Sequence, residues 1–301
     1  MNVPGPSRTA EGAAALRVWH GLMDDPPYLV DDRAVRDLLS PSMRALLQAP
    51  VWLRAALRFQ ERLRPEWAAL RGQVAVRARF SDDALEAALG RGCQQVLVLG
   101  AGLDTTALRY QQRLQAATVF EVDHPGTQDW KQARLPAHLD DRVRFVGVDF
   151  ERDALDEALL ESGVRRNQPV FVSWLGGSYY LKPEAFKRTL AALSRIAAPG
   201  SEFVLDYWVP GNALPLNARM LLAATRVMVA CHQEPLQGLR EPADFASEVA
   251  AAGWILVEEL DAQAQRIRWL SGRTDTLSVP EFSRLARLRT DTNLDFLGDP
   301  L

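Results

Sequence analysis

The chain has 301 residues, of which 48% are hydrophobic and 24% charged, and its formal net charge is −3. This length and apolar content suffice for one large α/β domain, or for one domain with an appended cap. The small negative charge provides no overall basic field to hold a nucleic acid or an anionic membrane, so neither partner is expected.

The residues that could hold a metal or form disulfides show no suitable spacing. Cys93 and Cys231 lie far apart, and the four histidines are scattered, so no metal site and no disulfide framework are expected. Uncharged stretches such as 169–181 are too short to cross a membrane. Charged residues near the N-terminus interrupt the apolar run that a secretory signal requires. The sequence therefore predicts a cytoplasmic protein.

Residues 1–73 have the composition of short helices separated by prolines. The segment 1–9 is rich in Pro, Gly and Ser and is expected to be loosely ordered, and Ala13–Leu22 is the first predicted helix. Leu, Ala, Arg and Trp at helical spacing over 42–72 indicate a helical cap. Three aromatic residues there could line a ligand cavity, although such residues more often pack in a core: Trp52, Phe59 and Trp67.

From residue 74 onward, helices alternate with strands. A predicted helix, Val74–Leu89, precedes five predicted strands: Val96–Leu99, Thr118–Asp123, Arg142–Val148, Pro169–Leu175 and Glu202–Trp208. This rhythm predicts a doubly wound sheet with helices on both faces, in a Rossmann-like domain over 74–301. An apolar helix, Leu216–Ala230, interrupts the rhythm, and we interpret 211–230 as a second piece of the cap. Trp254–Leu260 and Ile267–Leu270 are the last predicted strands, before a polar terminal segment.

The turn after the first strand, Gly100-Ala101-Gly102, is the strongest local sign of a ligand. Two glycines allow a sharp bend and let a ligand approach bare main chain at the carboxyl end of a parallel strand. An ordinary ligand-free βα turn is an equally good reading of this short pattern alone. Thr105 stands where a dinucleotide fingerprint has its third glycine, which favours a single nucleoside over a pyrophosphate.

Acidic residues end the next two strands. Asp123, with Glu121 beside it, follows the glycine turn by about twenty residues and is placed to accept hydrogen bonds from ribose hydroxyls. Asp149 ends the third strand and is followed by Phe150, whose ring could hold an adenine. Each acid alone could be an ordinary surface residue, but together with the glycine turn they form three aligned features at strand ends.

Several ordered motifs resemble one known family. RARFSDDALEAAL, QVLVLGAGLDTTALR, VFEVDHPGTQDWKQARL and VSWLGGSYYLKPEAF, with DDPPYL near the start and RIRWLSGRTDTL near the end, resemble the S-adenosylmethionine-dependent methyltransferases of the leucine carboxyl methyltransferase group. The resemblance covers roughly residues 8 to 290. Bacterial members of this group methylate small molecules in secondary metabolism. The resemblance implies the class I methyltransferase sheet of seven strands, with the last strand antiparallel.

The resemblance also implies a set of cofactor-binding residues. Arg77 falls on the family's arginine for the methionyl carboxylate, and a guanidinium matches a carboxylate as a two-pronged donor. The other implied positions are Arg17 in the same pocket, Gly100, Ala101 and Gly102 at the amino acid portion, Asp123 at the ribose, and Asp149 with Phe150 at the adenine. Leu175-Gly176 stands where the family often has Glu-Gly, so the role of that acid is open here.

Methyl transfer is an in-line displacement, so the protein mainly aligns the acceptor and excludes water. A carboxylate or phenolate acceptor needs no base, whereas a hydroxyl acceptor does. The sequence does not choose among five candidate bases: Tyr179, Tyr180, Asp206, Tyr207 and His232. The expected activity is O-methylation of a small, largely apolar molecule. The alternatives are carboxyl methylation of a protein or peptide terminus, an NAD(P)-dependent oxidoreductase, and a cofactor-binding protein without turnover. The oligomeric state is not indicated.

Overall fold

The fold is taken from a computed structural model, which describes residues 7–48, 50–64, 66–135 and 142–291. Its strands are β1 Gln95–Leu99, β2 Thr118–Asp123, β3 Val143–Gly147, β4 Val170–Trp174, β5 Glu202–Trp208, β6 Ile255–Leu260 and β7 Ser283–Arg289. They form one sheet in the order β3-β2-β1-β4-β5-β7-β6. The first five strands are parallel, and β7 is antiparallel to both β5 and β6. The predicted class I methyltransferase sheet is confirmed.

The helices are α1 Arg8–Met23, α2 Val35–Leu38, α3 Pro41–Leu47, α4 Val51–Leu63, α5 Glu66–Gly90, α6 Thr106–Arg109, α7 Pro125–Gln132, α8 Leu155–Glu161, α9 Pro183–Ile196, α10 Leu216–Cys231, α11 Pro242–Ala251 and α12 Ala262–Gln265. A 3₁₀ turn, Gly211–Ala213, precedes α10, and a π turn, Arg266–Leu270, follows α12. None of the described helices has both the length and the apolarity that crossing a bilayer requires.

Helices cover both faces of the sheet, which explains the nearly continuous apolar strands. On one face, Leu97 and Phe120 pack with residues of α8, α9 and α11. On the other face, Val96 and Val98 pack with residues of α5. Alternate side chains of a strand point to opposite faces, so a strand buried on both sides needs apolar residues at every position.

The predicted last strand at Ile267–Leu270 is wrong, because these residues form the π turn, and Ser283–Arg289 is the antiparallel strand between β5 and β6. The sequence SRLARLR belongs to the predicted polar terminal segment. Its apolar residues are buried, and two of its arginines form ion pairs with acids of other chain segments, Arg284 with Asp261 and Arg287 with Glu202. Pairing with partners distant in sequence makes this polar segment a strand.

Two helices are longer than predicted. α1 begins at Arg8 rather than Ala13, because the Ser7 hydroxyl accepts a hydrogen bond from the Ala10 amide and caps the helix. Arg8 and Thr9 are therefore helical, and residues 1–6 lie outside the described residues. α5 is one helix of 25 residues that passes through the predicted cap boundary at residue 73. The side chain of Trp67 lies outside the described part of the chain.

Candidate active site

Arg77 lies buried at the carboxyl edge of the sheet. Its Nη1 donates to the Tyr179 hydroxyl at 2.8 Å and to Asp206 Oδ2 at 3.1 Å. Burial by itself would lower the pKa of Arg77, but its contacts with Tyr179 and Asp206 together more than offset this and raise the pKa, so the guanidinium stays charged. Nη2 makes neither of these bonds and lies against the turn after β4, where a Cβ built on Gly176 would be 2.6 Å from it. The arrangement holds a fixed cation with donors left for an anionic ligand.

Asp206 binds several of the groups that form the site. Besides Arg77, it accepts a hydrogen bond from Gln73 Nε2 at 2.9 Å and one from the Gly176 amide at 2.6 Å. It is fully buried, and its carbonyl accepts a bond from the Ser178 hydroxyl. A carboxylate engaged by three donors is better suited to positioning Arg77 and the Gly176 turn than to accepting a proton.

The glycine turn lies beside Asp123, as predicted from the strand ends. Gly100 and Gly102 have φ values of 57° and 47°, a region that favours glycine. The Gly102 amide donates to Asp123 Oδ2 at 2.5 Å, and the His124 amide donates to Oδ1 at 2.6 Å. Asp123 thus connects the ends of β1 and β2, and its remaining lone pairs are available to a ligand's hydroxyls.

Helix α1 packs over the glycine turn. A Cβ built on Gly102 would lie 3.1 Å from the Ala10 Cβ. Arg17 donates from Nη2 to the Leu103 carbonyl at 2.6 Å and from Nε to Asp32 Oδ2 at 2.7 Å. These two bonds hold the Arg17 side chain beside the turn, and its contact with the turn segment is to a main-chain carbonyl.

Sequence reasoning missed Asp32, which is buried and ties α1 to the turn. Its Oδ1 accepts a hydrogen bond from the Thr105 hydroxyl at 2.6 Å, while its Oδ2 pairs with Arg17. Thr105, which stands where a dinucleotide fingerprint has its third glycine, thus has a structural role of its own. The only sequence signal was an acid eight residues after Asp24 in DDPPYLVDD, a pattern that a surface loop shows equally well.

The predicted adenine-binding residues lie beyond β3 and next to β4. Phe150 stacks with Trp174 at a centroid distance of 6.1 Å and an interplanar angle of 19°. Trp174 ends β4 and lies 3.9 Å from a Cβ built on Gly100, so its ring connects the glycine turn to Phe150. Asp149 accepts a bond from the Glu151 amide. Leu175, partly buried, directly follows Trp174.

The candidate bases differ in their surroundings. Burial raises the pKa of Tyr179, and burial raises the pKa of Tyr180 to about 12. Burial and Glu259 raise the pKa of Tyr207, whose hydroxyl bonds to that carboxylate. These three tyrosines therefore stay protonated near neutral pH. His232 is the C-cap residue of α10.

Comparisons with known proteins point to one family. Residues 10–194 match the profile of the leucine carboxyl methyltransferase family. YktD of Bacillus subtilis, named among the S-adenosyl-L-methionine-dependent methyltransferases, is 28% identical over 294 residues, which cover 91% of this chain and 95% of YktD. A Mycobacterium marinum protein named in the same class is 37% identical over 150 residues, 48% of this chain and 49% of its own length.

Two solved structures share the fold. One from Thermobifida fusca, named among the methyltransferases, has a TM-score of 0.58 and 18% identity, covering 85% of this chain and 93% of its own. A duf574 family protein from Streptomyces avermitilis has a TM-score of 0.55 and 16% identity, covering 92% and 97%. At such identities these likenesses show the fold alone.

The sheet order and the sequence matches define the class of the protein, a class I S-adenosyl-L-methionine-dependent methyltransferase. The chain belongs to the leucine carboxyl methyltransferase family, whose profile covers more than half of it. The resemblance drawn from the motifs is confirmed, and so are the enzyme class and the cofactor. The oxidoreductase and non-catalytic alternatives do not agree with this family membership.

Proposed function

We propose that this enzyme methylates an oxygen of a small, largely apolar molecule, with S-adenosyl-L-methionine as the methyl donor. The supporting observation is the cover that α1 forms over the glycine turn. The Thr9 hydroxyl, in the first turn of α1, bonds to Glu234 beyond α10, so the two cap elements meet. A covered site favours a small acceptor, because a protein terminus would require an open groove. A cytoplasmic enzyme of secondary metabolism fits this proposal.

Successive parts of the cofactor would be bound by residues at successive strand ends. Arg77 would bind the methionyl carboxylate, and the glycine turn with Arg17 behind it would border the amino acid portion. Asp123 would accept from the ribose hydroxyls, and Asp149, Phe150 and Leu175 would surround the adenine. The set fits chemically, because it offers a buried cation, bare main chain, a carboxylate and an aromatic ring in sequence.

In the reaction, bound S-adenosylmethionine supplies an electrophilic methyl group on a sulfonium sulfur. The acceptor oxygen forms a bond to that carbon as the carbon–sulfur bond breaks, and the bonding pair stays on sulfur. The protein's residues fix the two ends of the cofactor and exclude water. The tyrosines remain protonated and Asp206 is engaged by donors, so His232 is the one candidate base left for a hydroxyl acceptor. We infer that the acceptor arrives as a carboxylate or a readily ionised phenol, which needs no base.

The test is methyl transfer from labelled S-adenosylmethionine to a cell extract separated by size. The expected outcome is label in the small-molecule fraction. Alkali then distinguishes its two forms, because a methyl ether keeps the label and a methyl ester releases it. Label found in the protein fraction as a base-labile ester would contradict the small-molecule proposal and support carboxyl methylation of a protein terminus.

Tyr180→Phe tests whether Tyr180 acts as a general base. We expect kcat to change by less than about threefold and the pH profile to keep following the ionisation of the acceptor, because general base catalysis is normally worth about 10²–10⁴-fold. The measurement is steady-state kinetics across pH, with the acceptor that the labelling assay identifies. A fall in kcat of a hundredfold with unchanged KM would instead make Tyr180 the base.

Asp123→Ala tests the ribose assignment. Affinity for S-adenosylhomocysteine should fall, by about 1.5–3 kcal/mol, because charge-assisted hydrogen bonds to the ribose are lost. Calorimetry with an analogue lacking both ribose hydroxyls should show a much smaller loss. Equal losses for the two ligands would mean that Asp123 acts only by holding the Gly102 amide. Asp244→Ala, at an exposed aspartate of α11, provides a control that leaves both affinities unchanged.

A further inference from the structure

Helix α4 exposes its apolar side to solvent. Trp52, Phe59 and Leu63, spaced by seven and four residues, share one face and are between 63% and 71% exposed. The opposite face carries Glu61, which is buried and accepts hydrogen bonds from Arg71 at 2.6 and 2.8 Å. A surface helix of a globular protein normally has the reverse orientation. We call this exposed row the α4 stripe.

Helix α10 repeats the pattern. Leu216, Met220 and Val227, spaced by four and seven residues, are between 64% and 70% exposed. Leu222 and Val229 on the opposite face are buried in the main core. We call the exposed row the α10 stripe. Both helices pack against α5, which carries Arg77, so both stripes belong to the cap around the active site.

Exposed arginines border each stripe, and the acid nearest to those of α4, Glu61, is buried and paired with Arg71. Arg58 and Arg62 lie along one side of the α4 stripe, and Arg219 and Arg226 along one side of the α10 stripe. Segments 41–60 and 212–233 contain no Asp or Glu, although the whole chain has a net charge of −3. Positive charge is thus concentrated beside the two exposed apolar rows. The net charge of the whole chain does not reveal this local excess.

This combination selects among the possible occupants. If two copies paired through these stripes, arginines of both copies would approach one another without acids to neutralise them. A lipid surface instead offers acyl chains to the apolar row and anionic head groups to the arginines, the arrangement of helices that lie in a membrane interface. Trp and Phe are also the side chains that such helices use at the head-group boundary.

We propose that α4 and α10 bind this protein peripherally to an anionic lipid bilayer, with the two stripes inserted at the head-group boundary. The binding is reversible and involves no membrane-spanning segment. It places the cap, and with it the entrance for an apolar acceptor, at the surface where apolar molecules dissolve. The proposal does not depend on which acceptor is methylated.

The test is co-sedimentation of the full chain with vesicles. Binding is expected to vesicles of equal parts phosphatidylcholine and phosphatidylglycerol, at least about tenfold stronger than to phosphatidylcholine alone, and to weaken at high salt. Trp52→Glu with Phe59→Glu should reduce binding at least about tenfold, and so should Arg58→Glu with Arg62→Glu. Ile267→Glu, at an equally exposed isoleucine outside the cap, should bind as the wild type does.

Calorimetry with S-adenosylhomocysteine verifies that each variant is folded and separates this proposal from the proposed reaction. Equal binding to neutral and anionic vesicles, or no binding by the wild type, overturns the proposal. Sedimentation velocity provides the other decisive result. A wild-type dimer that Phe59→Glu converts to a monomer would make the α4 stripe an interface between copies of this chain.

Discussion

Replacing Arg77 by alanine is expected to weaken binding of S-adenosylhomocysteine by about 2–4 kcal/mol, because the buried cation that pairs with the methionyl carboxylate is removed. Isothermal titration calorimetry measures this loss directly. Adenosine, which has no carboxylate, should lose far less affinity than S-adenosylhomocysteine. The difference between the two ligands isolates the carboxylate contact from any general loosening of the site.

Arg79 provides the matched control, since it lies two residues further along α5 and forms an exposed pair with Asp83 at 2.7 Å. Arg79→Ala should leave both affinities unchanged. Arg77→Lys should recover part of the loss, because lysine keeps the positive charge but lacks the planar fork of donors. If folded Arg77→Ala bound S-adenosylhomocysteine like the wild type, Arg77 would not be part of the cofactor site.

Replacing Arg71 by alanine is expected to lower the free energy of unfolding by about 3–5 kcal/mol, because two buried carboxylates lose their shared cation. Arg71 bonds to Asp24 through Nε and Nη2, at 2.9 and 2.8 Å, and also to both oxygens of Glu61. These contacts join the end of α1, α4 and α5. Denaturant unfolding followed by circular dichroism measures the effect.

The control for Arg71 is Arg33→Ala, which removes an exposed pair with Asp31 and should change the free energy of unfolding by less than about 1 kcal/mol. Replacing Arg71 together with Glu61 and Asp24 by apolar residues should recover much of the stability, since no unpaired charge then remains. A loss below about 1 kcal/mol for Arg71→Ala would show that the two carboxylates find other partners.

The same region shows how the distant terminal motifs of the family come together. Arg273 of RTDTL donates to the Pro27 carbonyl of DDPPYL at 2.8 Å, and Asp275 accepts a bond from the Asp25 amide at 2.9 Å. Thr276 donates to Glu61 at 3.1 Å. Two segments about 250 residues apart therefore support each other and the Arg71 cluster, a relation that motif matching alone does not reveal.

The sequence was sufficient to predict the central sheet and the placing of acids and glycines at successive strand ends. Strands such as Thr118–Asp123 and Glu202–Trp208 have the predicted bounds, because strands buried on both faces carry nearly continuous apolar runs. Parallel strands end at one edge, so acids and glycines at successive strand ends are brought close together. The contact between Gly102 and Asp123 follows from that rule.

The remaining features depend on contacts between residues that lie far apart in the sequence. Ser283–Arg289 is a strand because β5 and β6 both pair with it, and its arginines disguise the pattern. Asp206 was a candidate base until Gln73, Arg77 and Gly176 were found to engage it. Helical periodicity places Trp52 and Phe59 on one face of α4, but it does not say whether that face meets the core or the solvent. The buried Arg71–Glu61 pair on the other side of the helix settles that orientation.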